Sequence, residues 1–262
     1  MFQDEYSRWC QAELVDFDLK RELTEIAGDE DAIRERFAAS LSFGTAGLRG
    51  TLGVGTNRMN IWVVRQATQG IADWVKTKGG SQTVAISYDS RLKGWNFARD
   101  AASVLAANGI QVRLYDELMP VPALSFATRY YNCNAGIMIT ASHNPAKYNG
   151  YKAYGADGCQ VTDEDAAIVY AAIQKTDVLG GAKFMSFAEG VEKGLIRFVE
   201  DACKEAFYAA VEYRQVRPGI CKTAGLKLVY SPLNGTGLVP VTRVLKDIGI
   251  EDVTIVKEQE YP

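Results

Sequence analysis

The sequence predicts an α/β protein: a mixed, mainly parallel sheet with helices on both faces, followed by the start of a second α/β unit. Three observations predict it. From about residue 60, short apolar runs of strand length alternate with amphipathic stretches of helix length, the pattern of βαβ units. Polar turns follow the strand-like runs, at the position where open α/β sheets collect their ligands. Finally, 262 residues with 47% hydrophobic and 23% charged content suffice to bury such a core.

Taken in order, the first forty residues read as helical. Trp9, Leu14, Phe17 and Leu19 give an imperfect apolar stripe, and Ile26, Ile33 and Phe37 a second short helix. The segment from Phe43 to Gly55 carries Gly44, Gly47, Gly50, Gly53 and Gly55, too much glycine for a helix. It reads as a loop, or as a strand with close backbone approaches.

Residues 61–78 place Ile61, Val64, Thr68, Ile71 and Val75 on one helical face. A buried strand is expected over 83–88, a helix over 95–108 stopped by Asn108-Gly109, and a strand over 110–115. Pro122 stands near the start of a helix reaching Tyr131, and 135–139 is the third strand. The region 151–213 is expected to add one strand, two helices and a glycine-broken stretch at Gly180-Gly181.

Residues 214–225, with Pro218-Gly219, read as a linker between a first domain (1–213) and a second unit (226–262). That unit shows a strand over 226–230, a polar turn over 231–237, a helix to Ile248 and a strand over 253–256. One βαβ unit cannot cover both faces of a parallel sheet, so the second domain is expected to be truncated in this chain.

Charge and cysteine content narrow the partners. A net charge of -3 argues against nucleic acid and anionic membranes. Five scattered cysteines and a single histidine form neither a CxxC pair nor a zinc constellation. The opening residues show no basic segment followed by an apolar one, and no apolar run approaches the ~20 residues of a membrane span. A cytoplasmic protein is the expectation.

The only histidine lies in Thr140-Ala141-Ser142-His143-Asn144-Pro145, beside a serine, in a turn directly after the third strand. Ser142 reads either as an exposed nucleophile or as a turn serine bonding its own backbone, and those six residues leave both open. A serine hydrolase fits poorly: there is no G-x-S-x-G elbow, and a triad would need His143 itself, adjacent to the serine. Lys147 and Lys152 follow closely, while Arg49, Arg91 and Lys93 stand on other predicted loops. Cations gathered at one sheet edge suit a phosphoserine, which carries about -1.5 to -2 charges at neutral pH.

The stretches Phe43-Gly44-Thr45-Ala46-Gly47-Leu48-Arg49-Gly50, Tyr88-Asp89-Ser90-Arg91, and Thr140 to Pro145 with Tyr148-Asn149-Gly150-Tyr151-Lys152 closely resemble the α-D-phosphohexomutase family. Within it the chain is most similar to the bacterial phosphoglucomutase/phosphomannomutase branch, which also includes phosphopentomutase-type enzymes. The resemblance implies four domains around a cleft, with a shared α/β fold in the first three. It implies that Ser142 carries a phosphate, gives it to a hexose phosphate, and regains the other phosphate from the hexose 1,6-bisphosphate after reorientation. It further implies Mg²⁺ on an oxygen of the Ser142 phosphate, Lys152 in proton transfer, Arg49 as an active-site arginine and His143 near the reacting hydroxyl. Thr140, Asn144, Asn149, Lys147 and Arg91 are then expected to bind phosphate or to hold the loop.

One part of the family pattern is missing. No Asp-Gly-Asp-Gly-Asp-Arg type of metal loop occurs, nor do the sugar-recognition and phosphate-binding loops of the later domains. Asp163-Glu164-Asp165 resembles a helix start capped by Thr162 or Asp163 more than a metal loop. The expectation is therefore the N-terminal part of a mutase interconverting hexose 1-phosphate and hexose 6-phosphate, inactive alone. A non-catalytic phosphosugar- or anion-binding module, or a phosphopentomutase parent, are the alternatives.

Overall fold

Aspartates divide the N-terminal segment into three helices rather than the two expected from the sequence: α1 (Phe2–Gln11), α2 (Phe17–Glu25) and α3 (Glu30–Phe37). Asp16 accepts from the Asp18 amide and Asp29 from the Ala32 amide, so each restarts the helix as an N-cap. The computed structural model describes residues 1–45 and 47–261, which leaves Ala46 of the glycine-rich motif outside the described residues. Trp9, Leu19, Leu23, Ile33 and Phe37 bury the helices against the main core. Glu22 ties them to the glycine-rich segment: its carboxylate accepts from the Val54 amide at 2.7 Å and pairs with Arg36 at 2.9 Å.

The glycine-rich segment contains a short strand, β1 (Leu48–Thr51). The next elements fall within about two residues of their predicted bounds: α4 (Ile61–Lys78), β2 (Thr83–Tyr88), α5 (Gly94–Ala107), β3 (Gln111–Leu114), α6 (Val121–Tyr130) and β4 (Ala135–Ile139). Asn60 caps α4 by accepting from the Trp62 and Val63 amides. That helix buries Ile61, Val63, Val64, Ile71 and Val75, each worth ~1.5–3 kcal/mol when fully buried.

The following region holds two strands and three helices, where one strand and two helices were expected. They are β5 (Tyr148–Gly155), α7 (Asp163–Lys175), α8 (Phe187–Glu192), β6 (Ile196–Phe198) and α9 (Asp201–Glu212). β6 escaped prediction because it has three residues and buries only Ile196, which leaves no alternation to detect. The expected linker contains a four-residue helix, α10 (Ile220–Thr223). Beyond it come β7 (Lys227–Tyr230), α11 (Leu238–Asp247) and β8 (Asp252–Ile255).

The main sheet has the order β1-β5-β4-β2-β3-β6, and β7 and β8 form a separate parallel pair. β4, β2, β3 and β6 run parallel, whereas β5 is antiparallel to both β4 and β1. Val84 and Ile86 of β2 face the core shared with α4, α5 and α7, while Ala85 faces the core shared with α6 and α9. Helices therefore cover both faces, as expected. Among the described residues no helix is long and apolar enough to cross a membrane.

This topology positions the polar turns. Tyr88 at the end of β2 is paired with Ile139 at the end of β4, so residues 89–91 and 140–145 leave the sheet side by side. Because β5 returns antiparallel, its first residues start from the same edge. Arg49 on β1 is then in register with Gly150 on β5.

Candidate active site

Ser142 lies exposed in the loop between β4 and β5, with a φ of 57°. That left-handed conformation is costly for any residue with a β-carbon, so the surroundings must hold it. They do so from both sides of the residue. Its amide donates to Thr140 Oγ1 at 2.9 Å, and its carbonyl accepts from Arg91 Nη2 at 2.8 Å.

Arg91 is the main anchor of the loop. Its guanidinium also donates to the carbonyls of Asn144, Pro145 and Tyr148, so it spans the whole turn into β5. The side chain is 11% exposed, and its donors are engaged by four carbonyls of the same loop. Asn149 works from below: fully buried, it donates to the Leu92 carbonyl at 2.9 Å and accepts from the Gly150 amide.

Arg49 is exposed, and its Nη1 donates to Asn144 Oδ1 at 2.9 Å. Asn144 thus links the arginine of β1 to the serine loop. Lys152, half-buried on β5, has a pKa below the usual lysine value; burial is the main cause and the Arg49 charge the next, with Asp89 pulling the other way. The Ser142 hydroxyl and His143 Nδ1 are 3.4 Å apart, too long for the firm hydrogen bond a serine–histidine pair would use. Lys147 is exposed with its ammonium 5.8 Å from the Tyr148 ring centre, while its carbonyl accepts from the Leu52 amide.

Sequence reasoning quoted Asp89 but gave it no role. In the fold its carboxylate accepts from Thr140 Oγ1 and from the Arg91 amide at 3.1 Å. Burial pushes its pKa up, and those hydrogen bonds with the Arg91 and Lys152 charges partly offset the push. A lone Asp directly after a buried strand was the available signal. The third predicted turn also approaches: Ser90 Oγ donates to the Asn234 carbonyl at 3.3 Å. Ser90 and Asn234 line a cleft of about 530 Å³ between the main sheet and the β7–β8 unit.

The described residues alone do not supply a full Mg²⁺ ligand set. Among the described residues no group of three or more His, Cys, Asp or Glu side chains converges, and Asp89 is engaged by Thr140 and Arg91. Thr162 caps α7 by accepting from the Asp165 amide, so the acidic run at 163–165 is a helix start.

Residues 40–179 match the family described as phosphoglucomutase/phosphomannomutase, alpha/beta/alpha domain I. A phosphoglucomutase of Staphylococcus haemolyticus is 37% identical over 226 residues, a match covering 85% of this chain and 40% of that protein. A Thermus thermophilus crystal structure provisionally named phosphomannomutase superposes with a TM-score of 0.70 at 25% identity, covering 86% of this chain and 47% of the other. A phosphoglucomutase/phosphomannomutase family protein from Burkholderia thailandensis shares the fold, with a TM-score of 0.60 at 23% identity over 82% of this chain and 43% of that one. The chain spans about 40% of the length of the curated relatives it matches.

Proposed function

The chain belongs to the phosphoglucomutase/phosphomannomutase family, and from that premise we propose that Ser142 is the phosphate carrier of a mutase interconverting hexose 1-phosphate and hexose 6-phosphate. We assign residues 1–213 to the domain that presents this serine and residues 226–262 to part of a second domain. The observation that carries the reading is the geometry of Ser142: exposed, held at a positive φ, and fixed through both its amide and its carbonyl. An ordinary turn serine needs no arginine buried beneath it to bind four carbonyls of the same loop.

In the proposed reaction a sugar hydroxyl attacks the phosphorus on Ser142. The bond from phosphorus to Ser142 Oγ breaks, a bond to the sugar oxygen forms, the hydroxyl proton leaves to a base, and Ser142 Oγ takes up a proton to leave as the free hydroxyl. Lys152 suits the proton transfer, since burial and Arg49 lower its pKa and so ease its neutral form. Arg49, exposed beside Asn144, suits the phosphoryl oxygens. His143 is assigned to orienting the incoming hydroxyl. The reverse transfer from the hexose 1,6-bisphosphate returns the other phosphate to Ser142. Mg²⁺ is the cofactor we assign to the whole activity; among the described residues only the phosphate of Ser142 would offer it an oxygen. A cytoplasmic location accords with five free cysteines.

Intact-mass analysis and peptide mapping of the parent protein that contains this chain, after incubation with hexose 1,6-bisphosphate, test the reading. One added phosphoryl group on Ser142, absent from Ser142→Ala, is expected. Phosphate on any other residue, or none, overturns it; bound hexose phosphate without phosphoserine would instead support a phosphosugar-binding module. Labelling of Ser142 by a fluorophosphonate would point to a hydrolase.

A further inference from the structure

The two groups that fix Ser142 converge on one carboxylate. Asp89 accepts from the hydroxyl of Thr140, which holds the Ser142 amide, and from the amide of Arg91, whose guanidinium holds the Ser142 carbonyl. We propose that Asp89 is a positioning residue for Ser142 and acts through Thr140 by dictating the direction of their hydrogen bonds. The assignment deepens the reading of Ser142 as phosphate carrier and rests on it for its purpose, though not for its geometry.

Donor and acceptor counts set the direction. An ionised carboxylate only accepts, so the Thr140 hydroxyl must give its single proton to Asp89. Its lone pairs then remain for the Ser142 amide, 2.9 Å away. Without Asp89 the hydroxyl is free to rotate its proton toward that amide, where two donors would face each other. The order Asp89, Thr140, Ser142 therefore works in one direction only. The geometry favours permanence: Asp89 is 13% and Thr140 5% exposed, so water competes poorly for either.

The backbone cost at Ser142 gives the arrangement something to do. A φ of 57° is disfavoured for serine, and an amide left without its acceptor would relax toward an ordinary turn, taking the hydroxyl with it. Thr140 itself is anchored independently, since its amide donates to the Gly150 carbonyl at 3.0 Å. The side chain of Thr140 thus acts from a fixed backbone, and its own packing need not change when the hydroxyl is lost.

The test compares Thr140→Val, which keeps the shape and loses the hydroxyl, with Thr140→Ser, which keeps the hydroxyl and loses a methyl group. The probe is exchange of the Ser142 amide hydrogen followed by NMR on the whole chain. The expected result is exchange about tenfold faster in Thr140→Val, the factor of one hydrogen bond of ordinary net strength, and close to wild type in Thr140→Ser. A packing role for Thr140 predicts the opposite order, and that order overturns the proposal. Asp89→Ala should match Thr140→Val at Ser142 while the Thr140 amide keeps its protection; if Asp89→Ala fails to fold, the Thr140 pair still decides. Phosphorylation of Ser142 by hexose 1,6-bisphosphate is followed separately in the parent protein that contains this chain. Absence of phosphate from wild type would defeat the phosphate-carrier reading alone, because the exchange order is read without it.

Discussion

Gly47 and Tyr151 meet so closely that a β-carbon on Gly47 would lie 1.9 Å from the Tyr151 carbonyl oxygen. Gly47 also has a φ of 76°, so it is required twice, by space and by backbone conformation. The contact brings the entry of β1 against β5, and Arg49 and Lys152 are each next in sequence to one of the paired residues Leu48 and Tyr151. Gly47→Ala is expected to destabilise the protein by about 2–4 kcal/mol, combining left-handed strain with backbone overlap. Urea unfolding should show a lower midpoint at unchanged slope.

Arg91→Lys should be damaging although it keeps the charge. An ammonium is a compact point charge and cannot reproduce the planar fork that reaches the carbonyls of Ser142, Asn144, Pro145 and Tyr148. A loss of about 2–4 kcal/mol is expected, with faster proteolysis confined to residues 140–148. Cleavage elsewhere at the same rate would contradict a local role.

These two anchors also mark how far the sequence could be read. β2, β3 and β4 were legible because each is a short, largely apolar run bounded by turns, as Thr83 to Tyr88 shows with every residue buried; β6, with one buried residue, was not. The serine loop stood out as a polar turn after a strand holding the only histidine, but its six residues alone left nucleophile and turn serine both open. Asp89 was not legible, because its role depends on β2 and β4 lying side by side, and no local pattern states which strands are neighbours. For Arg91 no local pattern separates binding phosphate from holding the loop, because the carbonyls around its guanidinium come from residues 51 to 57 positions further along the chain. The break between α1 and α2 was missed for a different reason: Trp9, Leu14, Phe17 and Leu19 read as one apolar stripe, and Asp16 caps a new helix inside it.

Asp165 supplies a pH test away from the site. Lys78 lies 2.8 Å from its carboxylate and Trp74 Nε1 donates to it at 3.0 Å, and the Lys78 bond is the main cause that lowers its pKa. A carboxyl depressed on folding contributes stability above its unfolded pKa and loses it as pH falls through the folded value. The stability difference between wild type and Asp165→Asn is therefore expected to be largest near neutral pH. It should stay within about 1 kcal/mol for a partly exposed pair and shrink below the ordinary carboxylate range. Chemical denaturation at several pH values checks the sign.

Arg243 joins α11 to α9 through two hydrogen bonds to Glu205, at 2.8 and 2.6 Å, and a third to Asp247 on its own helix. The group is 39% exposed, so Arg243→Ala should cost little stability. Its effect on geometry should be larger, because the cleft bounded by Ser90 and Asn234 lies between the same two units. Small-angle scattering is expected to show a larger radius of gyration in the variant, and high salt should move wild type in the same direction by screening the pair. An unchanged radius in both would show that other contacts hold the units together.

Lys152 and Arg49 provide the test closest to the chemistry. Burial lowers the Lys152 pKa, the Arg49 charge lowers it further, and Asp89 raises it. Arg49→Gln removes the repulsion and is expected to move the Lys152 pKa up; Asp89→Asn removes the attraction and should move it down. Titration of the Lys152 ammonium by heteronuclear NMR reads both shifts directly. The sign carries to function: a higher pKa leaves less neutral Lys152 at a given pH, so if Lys152 takes the hydroxyl proton, the rising limb of the pH–rate profile moves to higher pH in Arg49→Gln. Arg49 also touches Asn144, so the variant should lose rate at every pH as well. A profile lowered in height with no displacement would leave Arg49 as a phosphate ligand and remove Lys152 as the proton acceptor.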